Sequence, residues 1–100
     1  MKALCKRAES LVVREVSDGI LLLDMAGAQI HQLNATAAFI WRHCDGVAAP
    51  ADIATSLSRE YDVERVAAAR DVDMALKELR ALNLVVEGSE RHRTNVSGAR

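Results

Sequence analysis

Ala28-Gln-Ile-His-Gln-Leu33, running straight into Asn34-Ala-Thr-Ala-Ala-Phe-Ile-Trp41, is the stretch on which the fold turns. Its first half reads as a short strand. Asn34 is a good helix N-cap, because its side-chain oxygen can accept from a free N–H of the first turn. The spacing predicts a helix from Ala35 to about Cys44, ended by Asp45-Gly46. Backward from this junction lie two more strands. Ile20-Leu-Leu-Leu23 is one, joined to Ala28–Leu33 by a turn over Asp24 to Gly27, and Leu11-Val-Val-Arg-Glu-Val16 is rich in β-branched residues and followed by the turn signal Ser17-Asp-Gly19. Two short turns between three short strands predict an antiparallel meander with the third strand at an edge, one row of its N–H and C=O groups unpaired.

Forward from the junction the chain reads as helix. Pro50 suits a first helical position, and a second helix is expected to run to about Glu60 or Tyr61, with Ile53, Leu57 and Tyr61 four apart on one face. A third helix is expected from about Val63 to Leu82, capped by Asp62. Its core stripe is read as Val66, Ala69, Val72, Leu76, Leu79 and Leu82. Leu84-Val85-Val86 closes the domain as an extended segment. The fold class is therefore α+β, a three-stranded antiparallel meander followed by three helices.

One hundred residues suffice for one domain with one modest core. Residues 1–10 show no period, and from Glu87 to residue 100 only Val96 is a sizeable aliphatic residue. That stretch cannot offset ordering costs of about 1–2 kcal/mol per residue, so residues 87–100 are expected to be a disordered tail and residues 11–86 the folded domain. Thirteen basic residues against fourteen acidic ones supply no field that would draw in nucleic acid or an anionic membrane. No signal peptide is readable at the N-terminus, and no apolar run approaches the roughly 20 residues of a membrane span, so the expected location is the cytoplasm. There Cys5 and Cys44 are expected as two thiols.

The residues Leu23-Asp24, Gly27, Leu33-Asn34-Ala35-Thr36-Ala37-Ala38 and Ile40-Trp41 resemble the PqqD family, followed in order by Asp45-Gly46, Ile53-Ala54, Leu57, Glu60-Tyr61-Asp62-Val63, Asp71-Val72, Leu79 and Leu84-Val85. Leu-Asn-x-Thr-Ala-Ala-x-x-Trp is the most specific of these segments. One departure is Asn83, where the family usually has glycine; asparagine still tolerates a left-handed helix stop. The resemblance implies a winged helix-turn-helix with its strands first. It implies a non-enzymatic module that takes the leader of a ribosomally made precursor peptide as an extra strand, against the third strand and third helix. It also implies a modifying enzyme as second partner, commonly a radical SAM protein, and no cofactor of the domain's own.

On their own terms the residues suit that task. A peptide pairing with Gln29, Ile30, His31, Gln32 and Leu33 gains about four backbone bonds worth roughly 1 kcal/mol net each. Ordering five peptide residues costs at least as much, at about 1–2 kcal/mol per residue, so side-chain pockets must supply the difference. His31 on that strand either hydrogen-bonds the peptide or faces water, the second being the simpler reading. With the core of the third helix centred between Val72 and Leu79, the far side carries Ala67, Arg70, Met74, Lys77 and Ala81. Met74 then offers an adaptable apolar anchor and Arg70 or Lys77 a partner for an acidic peptide residue. Ile20 to Leu23 alternate sides, which makes both sheet faces apolar; a partner protein, a second copy of the chain or the folded-back N-terminal segment is needed to cover the outer one.

Other readings stand lower. A helix-turn-helix invites DNA binding, but on the third helix Arg65, Arg70, Lys77 and Arg80 are matched by Glu64, Asp71, Asp73 and Glu78. A structural adaptor that grips an enzyme through the sheet face without taking a leader is the other alternative. His31, His43 and Cys44 fit no recognised metal-ligand spacing. No GxSxG turn, Cys–His–acid frame or phosphate-cradling glycine loop supports catalysis. Trp41 reads as a core residue, and Asp24 and Asp45 as turn residues.

Overall fold

The computed structural model describes residues 3–6 and 10–87, in the order β1 (Leu4–Lys6), β2 (Leu11–Val16), β3 (Gly19–Asp24), β4 (Gln29–Asn34), α1 (Ala35–Arg42), α2 (Pro50–Tyr61), α3 (Arg65–Ala81) and β5 (Val85–Glu87). The meander is as the sequence predicts: one antiparallel sheet, order β2-β3-β4, with β4 at its edge. Registers Val13↔Leu22↔His31 and Ile20↔Leu33 place Ile20, Leu22, His31 and Leu33 on the inner face, and Val12↔Leu23↔Ile30 on the outer one.

Two turns set this register. Gly19 has φ 151° and lies so close to β4 that a Cβ there would stand 1.9 Å from the carbonyl oxygen of Leu33, so only glycine fits. At the other hairpin the buried Asp24 accepts from the backbone N–H of Gly27 at 3.1 Å, and Ala28 completes the turn in the left-handed region.

Each helix has a readable start. Asn34 Oδ1 accepts from Ala37 N at 2.9 Å and caps α1. Asp45 Oδ1 accepts from Val47 N and Ala48 N at 2.9 and 2.8 Å, and those two backbone bonds hold its carboxyl below the usual range. Pro50 opens α2, while Asp52 Oδ2 accepts from Ala49 N at 3.0 Å. Asp62 does not cap α3: its backbone is left-handed (φ 52°) and it closes α2, so α3 begins later, after Glu64. At the far end Asn83 N donates to Arg80 O and Leu84 N to Leu79 O, at 3.0 and 2.9 Å, around a left-handed Asn83 (φ 60°). This is a Schellman stop, and it closes with buried Leu84 and Leu79 at the two positions that such motifs bring into apolar contact.

The core joins Ile20, Leu22 and Leu33 of the sheet to Ala38, Ile40 and Trp41 of α1, Ile53 and Leu57 of α2, and Ala68, Val72, Leu76 and Leu79 of α3. The expected stripe on α3 is thus corrected at three positions. Val66 and Ala69 are exposed and Leu82 is partly so, while Ala68 is fully buried, so the inner row runs 68-72-76-79 at helical spacing. Tyr61 is likewise not core; it stands at the rim of α2, edge-on to Phe39 with centroids 5.6 Å apart.

The N-terminal segment contributes more than its sequence suggests. β1 pairs antiparallel with β5, and Lys6 N and Gly46 N bond Cys44 O and Leu4 O, both at 2.9 Å. Leu4 and Val85 are buried, and Trp41 Nε1 donates to Leu84 O at 3.2 Å, which ties α1 to the closing strand. Because β1 joins β5 in a separate sheet, residues 4–6 do not cover the outer face of the meander, where Val12 and Ile30 are exposed and Leu21 and Leu23 half-buried. The expected disordered tail falls outside the described residues except for Glu87, which ends β5.

Candidate functional site

Where β4 runs into α1, a groove of about 170 Å³ opens between the sheet edge and α3. Gln32, Leu33 and Asn34 line it from β4, Ala37 from α1, and Ala75, Glu78, Leu79 and Leu82 from α3. Its position follows from the caps. Asn34 fixes the first turn of α1 so that Ala37 faces the groove, and the two alanines leave the space that larger residues would fill. Leu33 and Leu79, both buried, form the floor, Leu82 a partly exposed apolar wall, and Gln32 and Glu78 a polar rim.

The volume sets what can enter. Small-molecule pockets span about 300–1,000 Å³, whereas a cavity of about 150 Å³ takes a single benzene ring. This groove therefore has room for one large aliphatic or aromatic side chain. The backbone of β4 runs alongside it, and among the described residues no strand pairs with the outer edge of β4. An open row of backbone donors and acceptors beside a one-side-chain pocket is what an added strand requires.

The residues singled out in the sequence are only partly brought together. Gln32 and Leu33 line the groove, and Gln29, Ile30 and His31 continue the edge away from it. His31 does not face water: it sits on the inner face opposite Leu22, and its Nε2 is buried with no hydrogen-bond partner among the described residues. Arg70, Met74 and Lys77 are exposed and do not line the groove. At about 100° per residue, Arg70 and Lys77 lie roughly 140–160° around α3 from Ala75, and Met74 about 100°. Lys77 is also paired with Asp73 at 3.1 Å. The residues that the sequence reading missed are Asn34 (read only as a cap), Ala37, Ala75, Glu78, Leu79 (read only as core) and Leu82. Their signal was present: with Ala68 instead of Val66 in the core row, positions 75, 78 and 82 fall together at its flank.

Other chemistry finds little support here. Among the described residues no group of three His, Cys, Asp or Glu side chains comes together as a metal site, and no helix is long and apolar enough to cross a membrane. Cys44 is fully buried and donates to Ile40 O; burial pushes its thiol up to about 11, partly offset by the charge of Lys6, which suits a structural thiol and not a nucleophile. His43 is occupied in donating from Nδ1 to Phe39 O and stacking on the Phe39 ring. Counting its N-cap Glu64, α3 carries four acids and four bases, and Arg80 is paired with Glu87 at 3.6 Å.

An antiparallel meander followed by three helices, its last strand left at the edge, is the winged helix-turn-helix arrangement with the strands placed first. The chain belongs to the PqqD family: the model of that family, described as coenzyme PQQ synthesis protein D, matches residues 19–85. Among solved structures it is similar to one described as lasso peptide synthetase B1 complexed with the leader peptide (TM-score 0.72, 32% identity, 84% of this chain and 98% of that chain). It is also similar to TbiB1 in complex with the TbiA(beta) leader peptide (TM-score 0.67, 25% identity, 85% of this chain and 94% of that chain). A comparison with curated proteins gave no match.

Proposed function

We propose that this chain binds the leader region of a ribosomally made precursor peptide as an added strand on β4, and presents it to a modifying enzyme without itself catalysing a reaction. The observation that carries this reading is the open edge of β4 beside a groove sized for one side chain. Backbone pairing along Gln29–Leu33 roughly balances the cost of ordering the peptide. Burying one Leu- or Phe-sized anchor in the groove adds about 1.5–3 kcal/mol, which tips the balance. The contacts follow the groove: Gln32, Leu33, Ala75, Glu78 and Leu82, with Met74 reached by a peptide that extends past Glu78. Arg70 and Lys77 lie on the far face of α3 and meet only a peptide segment that leaves the groove.

Both solved relatives were captured with leader peptides, which supports the same ligand class here. The family resemblance favours a radical SAM enzyme as second partner, and the likeness to a lasso peptide synthetase component favours an enzyme of that assembly; co-purification with each candidate separates them. An NMR titration of the labelled domain, using the leader of a short peptide encoded beside it, tests the binding itself. Shifts are expected at Gln29–Leu33 and Ala75–Leu82. Saturable binding that shifts other surfaces and leaves these unmoved would refute strand addition.

A further inference from the structure

We infer that the groove selects its peptide by charge, preferring one that places a lysine or arginine beside the buried anchor and rejecting one with an acidic residue there. This rests on the strand-addition reading and assigns its specificity. Glu78 lines the groove, and its carboxylate has no ion pair or hydrogen bond among the described residues. Asp71, also exposed and unpaired among them, stands on the same row of α3, two turns or about 10 Å along the axis. Ala75 lies between them.

Nothing on the groove answers these charges. The lining residues from β4 and α1 are Gln32, Leu33, Asn34 and Ala37, none of them ionisable. The cations of α3 are turned away or engaged: Arg70 and Lys77 lie on the far face, Lys77 with Asp73, Arg80 with Glu87, and Arg65 donates to Thr55 at 3.3 Å. Arg14 is the nearest cation on the sheet, in the row Arg14↔Leu21↔Gln32 on the outer face. Two strand spacings put it about 10 Å from Gln32, near the screening length at physiological salt. The groove wall is therefore negative, and a peptide cation entering beside Ala75 meets Glu78 with its charge uncompensated. This preference is opposite in sign to the expectation drawn from sequence, an acidic peptide residue held by Arg70 or Lys77.

The rim is exposed, so the effect is that of a surface pair: replacing the peptide lysine by glutamate should weaken binding about three- to tenfold at low salt. The test is selection of a displayed random peptide library against the full chain. Synthetic copies of the enriched peptides are then compared with their Lys→Glu counterparts. Enriched peptides should carry Lys or Arg within two residues of an apolar anchor. Glu78→Gln should abolish the preference and Glu78→Lys should invert it, and about 0.5 M salt should shrink it in the wild type. Peptides that shift β4 and compete for the groove but show no charge bias, or an acidic bias that Glu78→Lys leaves unchanged, overturn this inference alone. A library that yields binders only at other surfaces overturns the strand-addition reading and this inference together.

Discussion

Ala75→Leu should close the groove while leaving the fold intact. Ala75 is half-buried, packs against the edge of the core and lines the groove with Leu79 and Leu82, so a leucine there places three added carbons where the groove is open. The space is about 170 Å³, and the added carbons take the part in which an anchor would sit. What is lost is the anchor's burial, about 1.5–3 kcal/mol for a large apolar side chain. That converts to a Kd roughly 10- to 150-fold weaker, since each 1.4 kcal/mol is tenfold. Thermal stability should hold or rise slightly, because the new methyls cover apolar surface at Leu79 and Leu82. The assay is isothermal titration of wild type and variant with one leader peptide, paired with a melting curve. Ala51→Leu, on the exposed side of α2, serves as control and should bind as wild type does. An Ala75→Leu protein that melts normally and binds within twofold of wild type would refute the groove as the anchor site.

Gly19→Ala should destabilise the domain by at least about 2 kcal/mol, lowering the melting temperature by roughly 8 °C or more, since its Cβ meets the Leu33 carbonyl at 1.9 Å. A melting curve within two degrees of wild type would contradict that geometry. Cys44, with its thiol raised from 9.0 to about 11 by burial, should resist thiol reagents near neutral pH until the chain unfolds. The sign follows from linkage: the folded state holds this proton more tightly, so the contribution is complete below pH 9 and is lost as pH rises from 9.0 towards about 11. Denaturation curves across that window should show the decline, and Cys44→Ala should flatten it. His31→Leu should stabilise the fold by about 1 kcal/mol, because it removes a buried ring nitrogen that has no partner among the described residues; a loss of stability would mean that the ring nitrogen is satisfied.

The parts legible in the sequence are those where local chemistry and the tertiary fold agree. Gly19, Asp24, Asn34 and Pro50 each signal a turn or cap, and the structure uses each as expected. The start of α3 was not legible for a physical reason. Asp62 is a good cap by composition, but its left-handed backbone stops α2 instead, and Ser58 Oγ donates to Val63 O at 2.6 Å in the connection between the two helices. The inner row of α3 also differs from the expected one at its N-terminal end, where it runs through Ala68. Hydrophobicity favours Val66 over Ala68 for that row, yet the buried residue is the small one, Ala68, and Val66 is left outside. The far side of α3 is as expected, with Arg70, Met74 and Lys77 exposed there; what the sequence does not show is that the groove opens at the flank of the helix, beside Gln32 and Leu33. β1 was illegible because three residues of mixed character carry no period, and only pairing with β5 makes them a strand.

The most direct test of the central claim is amide hydrogen exchange at β4 in the free protein and with a bound leader peptide. In an edge strand, alternate amides point inward to β3 and outward to solvent. Strand addition predicts that the outward-pointing amides within Gln29–Leu33 exchange slowly only when peptide is present, while the inward-pointing ones are already protected. Saturating peptide that leaves the outward amides as fast as in the free protein would contradict the account.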